Sequence, residues 1–318
     1  MEHRSGTRRE WGEGLPRPTQ PSDIEDYRRA EAAPFDGVPT MLPTWNACCG
    51  DLGKRAGLAR GWMVTVGGGP GKRKSMFACN MTAHALEKGL RVMYFSGELP
   101  RRSILKRVGL CMAAGVGWSM AEHDPHWIDD VASGLRHLAV NDVRVRIESD
   151  EVLTAIERWG PEYDLVVLDY MQQTLGSAVH TADEIKTVAE EMKGAALRHG
   201  FVAVIVSQLT RDVQRDGSDM PGLYGLAGGS ALERHSDQVV MFGTAVRRIP
   251  AGDLDQYRTW VGLEKVRDGQ PARIPVVWDS HGPRIREGGE IEWEEWPEEK
   301  QHARRMRSVP KRVTGGME

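Results

Sequence analysis

The sequence predicts an α/β fold with a mostly parallel central sheet, helices on both faces and a β-hairpin extension at its C-terminal end. Three observations lead there. Short apolar runs rich in Val and Ile recur along the chain, as strands buried on both faces require. Helix-length segments separate the first six runs, which suits parallel crossover units. The last two runs lie close enough in sequence to pair directly with each other.

Taken in order, residues 1–36 are polar and punctuated by Pro16, Pro18, Pro21 and Pro34. They read as an arm or linker with one short helix, Ser22 to Ala33, opened by Ser22 as N-cap. Residues 37–287 form the main domain. Its strand candidates are Trp62 to Val66, Arg91 to Ser96, Val143 to Ile147, Asp164 to Leu168, Val202 to Val206, Gln238 to Phe242, Trp260 to Leu263 and Ile274 to Trp278. After the first comes a glycine-rich turn, then a helix over Met76 to Lys88 with Met76, Phe77, Met81 and Leu86 available to the core. Residues 288–318 switch from acidic (Glu290 to Glu299, with Trp293 and Trp296) to basic (Arg304, Arg305, Arg307, Lys311, Arg312). Blocks of like charge predict disorder for this tail.

At 318 residues and 40% hydrophobic content, one large core is enough and nothing forces a second. A net charge of −3 argues against a surface that coats nucleic acid all over, while leaving room for a local basic channel. Cys48, Cys49, Cys79 and Cys111 have no C-x-x-C spacing and no His partners at zinc-finger distance, so neither a disulfide framework nor a structural metal is indicated. No apolar run reaches the ~18 residues of a membrane span, and MEHRSGTRREW lacks the apolar core of a signal peptide. The expectation is a cytoplasmic protein with no membrane partner.

Gly67 to Ala78, GGGPGKRKSMFA, is close to the phosphate-loop pattern G-x-x-x-x-G-K-[ST]. Gly68 stands first and Lys74 and Ser75 last, with Arg73 in the place of the second glycine. Backbone N–H groups of Gly68, Gly69, Gly71, Lys72, Arg73, Lys74, Ser75 and Met76 would surround an anion at the positive end of the helix, with Pro70, which has no N–H, stiffening the turn between them. Lys74 would reach the β/γ-phosphates and Ser75 would ligate Mg²⁺. A solvated basic turn is the plain alternative for Lys72 to Lys74; the flanking strand and helix favour the nucleotide site. An L-residue at Arg73 costs ~1–2 kcal/mol if the backbone there is left-handed, and its Cβ would crowd the phosphates.

Ligands of open α/β sheets sit beyond the carboxyl ends of the strands. Four strand ends here carry suitable chemistry. Glu98, in SGELP, is placed to deprotonate an attacking water. Asp169 stands where a carboxylate holds Mg²⁺ through water. Ser207-Gln208 supplies an amide that can sense a γ-phosphate. Lys265 and Arg267, in EKVRDG, alternate at a strand end as two cations able to reach a phosphate. Each has an ordinary alternative as a charged or polar strand end.

Together these residues resemble the ATPase domain of DnaB-type replicative helicases, within the RecA-like P-loop NTPases. The pieces are GGPGKRKSMFA, YFSGELP, LVVLDYMQ, IVSQLTR, GSALERHSDQVVMF and EKVRDGQ, spread over about residues 38–287. DYMQ and K-x-R-x-G favour DnaB over its RadA and KaiC relatives. The resemblance implies an ATP- and Mg²⁺-dependent DNA helicase with Glu98 as general base, and Lys265 and Arg267 reaching across a subunit boundary. It implies a homo-oligomeric ring, a hexamer, on single-stranded DNA, with a primase or helicase loader as partner. Arg73 and the missing large N-terminal domain depart from the family pattern and suggest a minimal, phage-encoded helicase. DNA would be gripped by the loops Gln173 to Asp183 and Arg211 to Gly229, with Arg211 and Arg215 as contacts. A RadA-like recombination ATPase and a degenerate, non-hydrolysing nucleotide-binding scaffold are the alternatives, the second suggested by Arg73.

Overall fold

The computed structural model describes residues 20–32, 36–49, 57–113, 116–141, 148–169, 182–209, 222–226, 229–243, 247–251, 254–279 and 282–288. The chain divides into two compact units, Met1–Asp36 and Gly37–Glu318. The first contains α1 (Pro21–Ala32). Proline's fixed φ suits a first helical position, and Asp23 Oδ2 accepts from the Gln20 backbone N–H at 2.7 Å. Ser22 therefore lies inside the helix instead of capping it.

The second unit begins with β1 (Gly37–Val38), α2 (Pro43–Cys48) and β2 (Leu58–Ala59). Alternation follows through β3 (Met63–Gly68), α3 (Lys74–Glu87), β4 (Val92–Ser96), α4 (Arg101–Met112), α5 (Trp118–His123), α6 (Trp127–Leu135) and β5 (Leu138–Val140). It continues with α7 (Ser149–Trp159), β6 (Leu165–Asp169), α8 (Ala182–His199), β7 (Val202–Gln208), α9 (Gly229–His235) and β8 (Gln238–Phe242). Four further strands end the described chain: β9 (Arg247–Ala251), β10 (Leu254–Val266), β11 (Ala272–Asp279) and β12 (Ile285–Glu287).

Among the described residues, ten strands form one sheet in the order β12-β11-β10-β8-β3-β7-β6-β4-β5, with β9 also on β10. The block from β8 to β5 is parallel. The expected hairpin is β10 and β11, antiparallel to each other and to β8. The strand expected at Val143 to Ile147 lies outside the described residues; among the described strands, β5 is the edge of the parallel block. The tail from residue 289 also lies outside them.

Strand composition explains the layering. β7, VAVIVSQ, is buried at every position but the last, which is why it reads as an unbroken apolar run. Its alternating side chains feed two cores. Val202, Val204 and Val206 pack with α2, α3 and α4 on one face. Ala203 and Ile205 pack with α7, α8 and α9 on the other. α7 is fixed at its start by a capping box between Glu148 and Glu151, and buries Val152 and Ile156.

A column of aromatic rings runs beneath the turn after β3. Trp45 stacks on Phe77 at 5.9 Å, Phe77 meets Phe242 edge-on at 4.9 Å, and Phe242 lies 6.3 Å from Trp278. All four are fully buried. Truncating Phe77 to Ala would cost about 3–5 kcal/mol and remove the support of the first turn of α3.

Candidate active site

β3 ends in the middle of the sheet, with Gly68 beside Gln208 of β7 and Gly67 beside Met241 of β8. A Cβ on Gly68 would sit 3.1 Å from the Phe242 Cβ and 3.3 Å from the Lys74 Cγ, so a side chain there would push on both. The chain then turns through Gly71, at φ 70° with open space around it, and the Lys72 N–H donates to the Gly69 carbonyl at 3.3 Å. Arg73 is left-handed, at φ 63° and ψ 23°, the conformation that glycine would adopt without strain. The Phe77 N–H donates to the Arg73 carbonyl at 2.9 Å and starts α3. The guanidinium of Arg73 is stacked over Trp278, 5.4 Å from the ring centroid.

Lys74 is the first residue of α3 and is buried, with its Nζ donating to the Gly69 carbonyl at 2.9 Å. Among the described residues no carboxylate lies within ion-pair distance of it. Burial pushes its pKa down to about 8, against the opposing pull of Asp169 and Glu98. Ser75 Oγ donates to Asp169 Oδ1 at 2.9 Å, and the Tyr94 hydroxyl donates to Asp169 Oδ2 at 2.6 Å. Desolvation raises the pKa of Asp169, while these two hydrogen bonds favour the carboxylate. Burial and the neighbouring Asp169 push the Tyr94 phenol well above its ordinary pKa, so it stays protonated and donates to the carboxylate.

Asp169 also fixes the turn after β4, since its carbonyl accepts from the Gly97 N–H at 2.7 Å. Glu98 follows, exposed to solvent, and its charge acts on both Lys74 and Asp169. Gln208 ends β7, half-buried beside Gly68. One end of the parallel block thus gathers Lys74, Ser75, Glu98, Asp169 and Gln208.

Lys265 and Arg267 are not in this group. Because β10 runs antiparallel, its end lies at the amino-terminal ends of β3 and β8. There the Asp237 carboxylate, 1% exposed, accepts from the Met63 N–H at 2.8 Å, binds the Lys193 ammonium at 2.6 Å and faces the Arg267 guanidinium at 3.0 Å. The Arg267 contact is an ion pair without hydrogen-bond alignment at Asp237 Oδ1, and half of the Arg267 side chain is exposed. Lys265 donates to the Glu233 carbonyl at 2.6 Å; desolvation, and then Arg267, lowers its pKa. Arg211 and Arg215, with most of the two loops expected to grip DNA, lie outside the described residues.

Tyr94, Trp278 and Lys193 were not singled out from sequence. Tyr94 had a detectable signal, because a phenol inside a wholly buried strand needs an acceptor for its hydroxyl. Trp278 and Lys193 act through partners far away in the chain, and no local pattern marks them.

The donor set fits a nucleotide polyphosphate with Mg²⁺. A glycine turn opens onto a helix start, a buried ammonium held by the Gly69 carbonyl lies beside it, and a hydroxyl and carboxylate already share a hydrogen bond. Among the described residues no group of His, Cys, Asp and Glu forms a metal cage of its own; Mg²⁺ commonly binds through one or two protein oxygens together with phosphate. The four cysteines are unbridged, and no described helix is long and apolar enough to cross a membrane.

Comparison with known proteins agrees with the geometry. The family model of the DnaB-like helicase C terminal domain matches residues 50–287. The chain is 22% identical over 279 residues to the replicative DNA helicase DnaB of Synechocystis sp., a match covering 80% of this chain and 30% of that protein. It is also 22% identical over 209 residues to the DNA repair protein RadA of Rickettsia conorii, covering 64% of this chain and 38% of RadA. The chain spans about a third of the length of these relatives. A solved DnaB-like replicative helicase, described with its interactions with primase, superposes with a TM-score of 0.66 at 17% identity, covering 82% of this chain and 66% of that one. The fold is therefore the RecA-like ATPase fold of these helicases. With the family match spanning most of its length, this chain belongs to the DnaB-like helicase C-terminal domain family.

Proposed function

We propose that this protein is an ATP-dependent DNA helicase that moves on single-stranded DNA as a homo-oligomeric ring and separates duplex. The observation that carries the reading is Lys74: a buried ammonium at the head of α3, held by one backbone carbonyl and with no carboxylate within ion-pair distance among the described residues. Such a cation has a reason to be there if an anion joins it.

In this reading the N–H groups from Gly68 to Met76 and the Lys74 ammonium hold the β/γ-phosphates of ATP. Ser75 and Asp169 hold Mg²⁺, whose charge offsets that developing on the phosphate oxygens. Tyr94 keeps the Asp169 carboxylate oriented. Glu98 accepts a proton from the attacking water, and Gln208 reads the γ-phosphate from the adjacent strand end. Lys265 and Arg267, on the far side of their own sheet, serve the nucleotide of a neighbouring subunit. That division of labour requires a ring, and a hexamer is the family's implied size. Arg211 and Arg215 contact the phosphates of single-stranded DNA. A primase or a loader is the expected protein partner, and the compartment is the cytoplasm.

The likeness to RadA supports a second reading, a recombination ATPase that remodels joined strands. A forked duplex distinguishes the two. The helicase reading expects ATP-dependent displacement of one strand by the wild type and none by Lys74→Ala. DNA-stimulated hydrolysis without displacement would favour the recombinase.

A further inference from the structure

The chain replaces the flexible residue of its phosphate loop with an arginine in a left-handed conformation. An L-residue held there needs surrounding structure that over-determines it. That structure is visible at Trp278. The ring is 1% exposed and lies under the Arg73 guanidinium. Phe242 lies 6.3 Å from it, and β11, which carries Trp278, is held between β10 and β12 by antiparallel pairing on both sides. Phe242 also touches the position where a Gly68 side chain would begin. The aromatic column therefore meets both ends of the turn, at Gly68 and at Arg73.

We propose that Trp278 is a positioning residue for nucleotide binding: its indole face holds Arg73 left-handed, so the loop stands ready for the polyphosphate without the usual glycine. The proposal rests on the nucleotide-site reading. It makes the antiparallel extension, through β11, part of the ATP site of the same chain. It also gives Arg73 a task compatible with activity, since a guanidinium held on an indole leaves the inside of the turn to backbone N–H groups. In a site that loses the indole, Arg73 keeps its backbone strain and loses its anchor. In a site that also has glycine at 73, there is nothing for the indole to hold.

The prediction is a coupling between two residues distant in sequence, which a double-mutant cycle measures directly. The probe is MgADP, titrated by calorimetry into the full chain as wild type, Trp278→Leu, Arg73→Gly and the double variant. Trp278→Leu should weaken binding by about tenfold, the scale of a desolvated cation–π contact. In the Arg73→Gly background the same change should alter affinity by less than about twofold. Trp278→Phe, which keeps an aromatic face and most of the volume, should fall between wild type and Trp278→Leu, and serves if the leucine variant does not fold. For the phenylalanine variant too, the loss should vanish in the Arg73→Gly background. Thermal unfolding without nucleotide gives a second cycle, in which Trp278→Phe should lower the Tm more in the arginine background than in the glycine one.

Equal losses of MgADP affinity in both backgrounds would overturn the proposal, because they would mark Trp278 as general core packing. Unchanged affinity in both Trp278 variants would overturn it too. If the folded wild type binds no MgADP at all, the nucleotide reading itself fails, whatever the Tm cycle gives.

Discussion

Arg267 faces the buried carboxylate of Asp237 at 3.0 Å, at the end of the sheet opposite Lys74. Asp237 keeps Lys193 and the Met63 N–H as well, so its charge stays compensated if Arg267 leaves. A half-exposed guanidinium, misaligned for hydrogen bonding, is suited to exchange that carboxylate for an anion on another molecule.

The first prediction follows from that exchange. Arg267→Ala subunits and Lys74→Ala subunits, each inactive alone, should regain ATP hydrolysis when mixed, because an intact loop on one can use an intact Arg267 on its neighbour. Mixed rings that exchange subunits yet stay inactive would refute a site shared between subunits.

Glu98 stands exposed after β4, and its charge acts on both Asp169 and Lys74. Glu98→Gln should keep MgADP affinity while lowering DNA-stimulated turnover by at least ~100-fold, the usual scale for a positioned base. Turnover near that of the wild type would move the base to another residue.

At Arg73, glycine and alanine should differ. Alanine keeps the left-handed strain of ~1–2 kcal/mol and loses the indole, whereas glycine loses both strain and anchor. Arg73→Gly should therefore bind ATP at least as tightly as the wild type, and Arg73→Ala about tenfold more weakly than Arg73→Gly. Weaker binding by the glycine variant than by wild type, in an ATP titration, would mean that the guanidinium itself reaches the phosphates.

The fold was legible where burial is continuous. β3, β6, β7 and β8 are apolar because both faces are covered, and their positions follow from that alone. β9 and β12 were not legible, since edge strands such as RRIPA and IRE lack an apolar run. Lys74, Ser75 and Asp169 could be read because local spacing carries their roles. The backbone conformation at Arg73 could be anticipated only as a condition, and its indole partner not at all, because the contact joins the start of the domain to its last strands. The opposite-end placement of Lys265 and Arg267 depends on β10 being antiparallel, which the sequence indicates only through the short link to β11.

The Lys74 ammonium supplies a pH dependence with a definite sign. Its folded pKa of about 8 lies below the ordinary 10.5, so between those values the unfolded chain holds more protons and stability without nucleotide rises with pH. A polyphosphate needs the charged form. MgADP affinity should thus fall as pH rises through about 8, and binding above it should take up a proton. Calorimetry in two buffers of different ionisation enthalpy reads that uptake, and Lys74→Ala should abolish it. Affinity independent of pH between about 7 and 10 would exclude Lys74 as the phosphate's partner.

The central claim is that this site hydrolyses ATP in the service of movement on DNA. Steady-state ATP hydrolysis by the purified chain, with and without single-stranded DNA, tests it most directly. The account predicts Mg²⁺-dependent hydrolysis that single-stranded DNA stimulates and that Lys74→Ala eliminates. Hydrolysis indifferent to DNA, or MgADP binding with no hydrolysis in either condition, would contradict it.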